Sequence, residues 1–108
     1  MHMKSAAEGM NWREATDPSE ASLVCEGLAH PFRIKALQVL REHGGKMKLY
    51  DLFKECNKEE EYGQQFGVVK GHVEKMRICG LVDLVKERGK YTVILKKDVK
   101  ILVKNYER

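Results

Sequence analysis

The sequence predicts an α+β domain, mostly helical, that carries a β-hairpin near its end. Three observations predict it. Apolar residues recur at the spacing of one helix face in run after run, from Ala21 to Met76. Gly80 then breaks the pattern, and two strand-like stretches follow, residues 81–85 and 91–95, joined by Lys86-Glu87-Arg88-Gly89-Lys90. The chain has 108 residues, enough for one small core.

Each element has its own signals. Residues 1–16 read as a tail, with Trp12 placed to tack it onto a domain spanning 17–108. Asp17-Pro18-Ser19-Glu20 starts the first helix: Asp17 caps, proline suits the first helical position, and Glu20 follows three residues after the cap. Ala21, Val24, Cys25 and Leu28 form its apolar stripe, with Leu23 beside it. His30-Pro31 interrupts the run and begins a second helix with a broad apolar arc of Phe32, Ala36, Leu37, Val39 and Leu40, which marks it as the central core helix. His43-Gly44-Gly45 ends it, and Met47 sits in a short edge strand. Leu49, Leu52, Phe53 and Cys56 define a third helix, and Asn57 to Gly63, including Glu59-Glu60-Glu61, connects it onward. Phe66, Val69, Val73 and Met76 form the apolar face of a fourth helix, which Gly80 terminates. Val99, Leu102, Val103 and Tyr106 predict a last helix over Lys96–Arg108.

The chain is 43% hydrophobic and 33% charged, the balance of a globular, soluble protein. It shows no apolar run of membrane-spanning length and no secretory leader. Its three cysteines, Cys25, Cys56 and Cys79, have no paired spacing, so a reduced, cytoplasmic setting is expected. The net charge of +4 is unevenly placed. Residues 1–63 hold nine Lys/Arg against eleven Asp/Glu, whereas residues 64–108 hold eleven against five. The helix-plus-hairpin half is therefore the basic half, which favours a polyanionic partner over a neutral one.

A helix followed at once by a hairpin with a basic tip resembles a winged helix-turn-helix. Two stretches resemble the arsenical-resistance-repressor (ArsR) family in particular. Leu28-Ala29-His30-Pro31-Phe32-Arg33-Ile34-Lys35-Ala36-Leu37 is similar to that family's "LADPTRLRIL", and residues 72–82, from His72 to Val82, are similar to "HLKVLREAGLV". The resemblance spans roughly residues 20–106. It implies a homodimeric, DNA-binding transcriptional regulator. Some members release DNA on binding metal through a thiolate pair in "ELCVCDL"; here Lys48 and Tyr50 stand at the cysteine positions. A second family site uses Asp and His in the last helix, where this chain has Asp98, then Lys100, and no histidine. No metal effector and no cofactor are expected.

Enzyme chemistry lacks its usual marks: there is no Gly-rich phosphate loop, no Ser/His/Asp set, and no Cys-x-x-Cys or His-x-x-x-His pair. His30, His43 and His72 fall in different elements and read as surface or capping residues. Cys25 and Cys56 lie on apolar faces and read as small core hydrophobes.

The expected function is therefore double-stranded DNA binding by a homodimer. Gln64, Gln65, Lys70, His72 and Lys75 on the fourth helix meet the major groove or its flanking phosphates, and Lys86, Arg88 and Lys90 on the hairpin meet the adjacent minor groove or backbone. The first and last helices pair across the dimer through Leu23, Val24, Leu28, Val99, Ile101, Leu102 and Tyr106. Against base reading stands the outward side of the fourth helix, which carries Gly67, Val68, Gly71, Glu74, Lys75 and Ile78, with Lys75 its single cation. That composition equally suits a protein-interaction module. RNA binding is weaker still, because the basic half has no stacking aromatic apart from Tyr91.

Overall fold

A computed structural model describes residues 12–59 and 63–107. Residues 1–11 of the tail expected over 1–16, residues 60–62 of the connector, and the terminal Arg108 lie outside the described residues.

Helix α1 (Pro18–Gly27) starts as its sequence dictates, with the Asp17 carboxylate accepting from the Glu20 amide at 3.3 Å and proline in the first turn. It ends at Gly27, where a Cβ would lie 2.7 Å from Leu81 Cδ1 and 3.0 Å from Cys79 Cβ. The missing side chain lets α1 press against the turn that follows the fourth helix. Helix α2 (Pro31–Glu42) is capped by His30, whose Nδ1 accepts from the Phe32 amide at 3.0 Å. It contributes Phe32, Ala36, Leu37, Val39 and Leu40 to the buried core, as its broad apolar arc predicts.

Strand β1 (Lys46–Lys48) leads directly into α3 (Leu49–Cys56), which buries Leu49, Leu52 and Cys56. A connector then reaches α4 (Phe66–Ile78). Its far end is pinned by Asn57, whose side chain donates to the Gln64 carbonyl and accepts from the Gln64 amide, both at 2.8 Å. Gly80 (φ +84°) closes α4 as expected: the Leu81 amide donates to the Met76 carbonyl at 2.9 Å and the Gly80 amide to Arg77 at 3.0 Å, the paired bonds of a Schellman end.

Strands β2 (Val82–Glu87) and β3 (Lys90–Leu95) form the hairpin, and β1 pairs with the free edge of β3, giving an antiparallel sheet in the order β1–β3–β2. The hairpin loop is tighter than expected. Glu87 pairs with Lys90, so only Arg88 and Gly89 turn the chain, at φ +53° and +79°. Both central residues have positive φ, as the two-residue turn that matches strand twist requires. The core lies where α2, α3 and α4 meet the sheet, around Phe32, Leu40, Leu52, Val73, Leu81 and Val93.

The last predicted helix is not formed: residues 96–107 carry no regular structure. Val99, Ile101 and Val103 alternate with Lys100, Leu102 and Lys104, a period of two that competes with the helical spacing, and β-branched side chains disfavour a helix that nothing else supports. Among the described residues the segment is held at its start. The Lys96 and Lys97 amides donate to the Leu81 carbonyl at 2.8 and 3.1 Å, and Arg41 grips the Asp98 carboxylate through Nε and a terminal nitrogen, each at 2.7 Å. Trp12 lies beneath the Lys100 ammonium at 4.6 Å, so that side chain meets this segment. Beyond it, Ile101, Leu102, Val103 and Tyr106 are exposed, Leu102 by 87%.

Candidate nucleic-acid interface

The site is built on α4. Val69, Val73 and Met76 point into the core, so helical geometry turns Gly67, Gly71 and Ile78 outward. A Cβ added at Gly67 or Gly71 meets nothing within 4 Å. Nothing inside the fold requires glycine at either position, although each costs about 1 kcal/mol of helix stability against alanine. The result is a smooth ridge of bare backbone, flanked by the exposed apolar side chains of Val68 and Ile78.

The predicted residues of α4 divide between its flanks. Lys70 leans toward the hairpin, with Nζ 3.4 Å from Tyr91 Oη and 4.6 Å from the Tyr91 ring centroid. His72 and Lys75 lean the other way and are already engaged. His72 is half-buried: its Nδ1 accepts from Arg33 Nε at 3.0 Å, and its ring stacks on Phe32 with centroids 5.1 Å apart and meets His30 at 4.4 Å. Burial, together with the neighbouring His30 and Arg33, lowers its pKa and keeps it neutral. Lys75 donates to Glu26 at 2.5 Å, which ties α4 to α1 and holds the Glu26 carboxyl below its usual range. Gln64 is fixed by its backbone to Asn57, while Gln65 is the exposed N-cap residue, with no side-chain cap bond.

The hairpin cations also divide. Lys86 pairs with Tyr91 across the strands, and its Nζ lies 5.4 Å from the same ring, so it projects on the face turned toward α4. Lys90 pairs with Glu87 and projects on the opposite face, while Arg88 stands at the tip. Among the described residues, Lys35, Arg41, Lys58, Lys75 and Arg77 each have a carboxylate partner. No ion pair among those residues reaches Lys70, Lys86, Arg88 or Lys90. The positive charge left uncompensated by the fold thus includes the whole hairpin end and the adjoining flank of α4.

Two aromatic features escaped the sequence reading. Phe66, expected in the core, is exposed by 40% and sits edge-on to Phe53 with centroids 5.3 Å apart; Tyr50 joins them at 5.7 Å from Phe53. Tyr91, noted only as an isolated aromatic, lies between α4 and the hairpin. The i, i+3 spacing of Tyr50 and Phe53 was the available signal for the first.

The other candidates have structural roles. Cys56 is fully buried, and desolvation pushes its thiol up to about 11, so it is no nucleophile near neutral pH. Cys79 is also buried, but Cys25 is exposed, contrary to the apolar stripe expected of it. Among the described residues no three His, Cys, Asp or Glu side chains converge as metal ligands, and no helix is long and apolar enough to cross a membrane. Of the expected dimer contacts, Leu28 belongs to the core, Val24 and Val99 pack against it, and Leu23, Ile101, Leu102 and Tyr106 remain exposed.

Helices α2, α3 and α4 therefore form a helical triangle, β1 is threaded between α2 and α3, and a hairpin stands beside α4. This is a winged helix-turn-helix. Solved structures share it. HlyU from Vibrio cholerae N16961 is 17% identical over 78% of this chain and 83% of its own, with a TM-score of 0.62. An ArsR family transcriptional regulator is 18% identical over 76% of both chains, with a TM-score of 0.60. No family model matches the sequence, and no curated protein does. In this fold α4 is the last helix of the triangle and β2–β3 is the wing.

Proposed function

We propose that this winged helix is a transcriptional regulator that binds double-stranded DNA as a homodimer, with α4 in the major groove and the wing along the adjacent backbone. The cations without a carboxylate partner, Lys70 and Lys86 beside α4 and Arg88 and Lys90 at the tip and far face of the wing, carry this reading. Cations with no carboxylate partner neutralise phosphates without first breaking an ion pair. Gly67 and Gly71 leave the helix backbone free to approach the groove floor, and Gln64 and Gln65 at its N-terminus are the base-reading candidates. His72 and Lys75, engaged with Arg33 and Glu26, support the helix from behind. The likeness to an ArsR family transcriptional regulator is consistent with the same role. The action is binding alone, with no metal, cofactor or catalytic step, and suits a cytoplasmic protein.

Self-association rests on Leu23 of α1 and on Ile101, Leu102 and Tyr106, apolar side chains that the monomer leaves in water. Titrating a mixed-sequence duplex across a salt series tests the DNA reading. Affinity that falls steeply as salt rises is the expected result. Absence of binding at low salt would favour the second reading, a protein-docking module, which the exposure of Val68 (44%) and Ile78 (66%) on α4 supports.

A further inference from the structure

We propose that Lys70, Lys86 and Tyr91 form a single phosphate clamp at the junction of helix and wing, in which Tyr91 positions the two lysines. The proposal rests on the duplex-binding reading above and adds a site to it. Two ammonium groups, one from α4 and one from β2, converge on one ring. Lys70 Nζ lies 4.6 Å and Lys86 Nζ 5.4 Å from the Tyr91 centroid, so they are no further apart than those two distances together. Two like charges held around one ring disfavour each other, and among the described residues no carboxylate is paired with either. The ring face offsets part of that repulsion by cation–π attraction. A phosphate between the ammoniums removes the rest and gains charge-assisted hydrogen bonds.

The hydroxyl completes the set. Tyr91 Oη is 3.4 Å from Lys70 Nζ; accepting from that ammonium leaves the phenolic hydrogen to donate outward. Three donors from three elements then face one anion. Tyr91 is half-buried against the core through the sheet face that also carries Val93, so its ring is a fixed support rather than a mobile surface group. Lys90 lies on the other face of the wing and has no part in the clamp.

Salt slopes on a mixed-sequence duplex test this with Lys70→Met, Lys86→Met, the double variant, Tyr91→Phe and Tyr91→Leu, each first shown to be folded by circular dichroism. Lysines that share one phosphate predict that the double variant flattens the log-affinity against log-salt slope by about 0.9 per protomer, and each single variant by less. Separate phosphates would instead give about 0.9 for each single and about 1.8 for the double, which overturns the clamp. Unchanged slopes overturn it as well, while leaving duplex binding intact. Wild-type protein that binds no duplex removes both proposals together. The role of Tyr91 has its own readout. Tyr91→Phe keeps the cation–π support but loses the donating hydroxyl and weakens binding, whereas Tyr91→Leu loses both and weakens it further. In the double-methionine background Tyr91→Leu has no additional effect if the ring acts through the lysines. A persistent loss there shows a merely structural role and overturns the assignment.

Discussion

Arg33 donates from Nε to His72 Nδ1 at 3.0 Å, across the crossing of α2 and α4. An imidazole that accepts at Nδ1 carries its proton on Nε2 and is neutral. Burial disfavours the charged ring, and protonation would also set a positive group against Arg33 and cost the hydrogen bond, so the folded pKa is lowered from its ordinary value.

The pH dependence follows in sign. Above about pH 6.5 the histidine is neutral in the folded and unfolded chains alike and contributes no pH slope. As pH falls below that, the unfolded chain takes a proton that the folded chain resists, and stability is lost. Urea unfolding between about pH 7 and pH 5 should show this loss, and His72→Gln, which keeps an acceptor for Arg33 but does not titrate, should flatten the profile relative to wild type. Identical profiles would show that His72 does not carry the effect.

Gly67→Ala and Gly71→Ala should each stabilise the fold by roughly 0.5–1 kcal/mol, because an added Cβ meets nothing within 4 Å and helical glycine carries an entropic penalty. The same substitutions should weaken duplex binding, since they place methyl groups on the ridge that faces the groove. Thermal unfolding and fluorescence anisotropy on the same samples measure the two effects. Greater stability with unchanged affinity would place the DNA elsewhere.

Arg88 occupies the first turn position at φ +53°, a conformation that costs a non-glycine residue about 1 kcal/mol. Arg88→Gly should therefore raise the unfolding midpoint while lowering affinity for all duplex sequences alike, because a phosphate contact carries no sequence information. Gln65→Ala should do the reverse, changing the preference among sequences while leaving stability nearly untouched.

The exposed end of the chain has its own test. Leu102→Asp with Tyr106→Ser should reduce self-association in sedimentation equilibrium without lowering monomer stability, since both side chains are over four-fifths exposed. A wild-type monomer at micromolar concentration would remove the homodimer from the proposed function.

Most of the fold was legible because local signals agreed with tertiary demands. Asp17-Pro18, His30-Pro31 and Gly80 mark helix ends that the structure repeats, and the apolar faces of α2 and α3 are the buried ones. The failures share one cause, which is that periodicity does not say what lies opposite. Val99 packs against the core, but Leu102, Val103 and Tyr106, which continue its helical spacing, stay exposed, so burial gives a helix there no support. The sequence likewise did not reveal that His72 and Lys75 engage Arg33 and Glu26 on one flank of α4. The division of Lys86 from Lys90 follows from the two-residue turn, which sets Lys86 opposite Tyr91. Arg88-Gly89 was the signal for that turn, but arginine is an uncommon choice at positive φ, so the longer loop was the natural expectation.

Amide chemical-shift mapping of the labelled protein on addition of duplex DNA tests the central claim most directly. The account predicts that the largest changes fall on Gln65 to Gly71 and on Lys86 to Tyr91, with α1 and the outward strand residues Asp83 and Ile94 little affected. Changes concentrated on α1 and the segment after Asp98, with α4 and the wing silent, would contradict it.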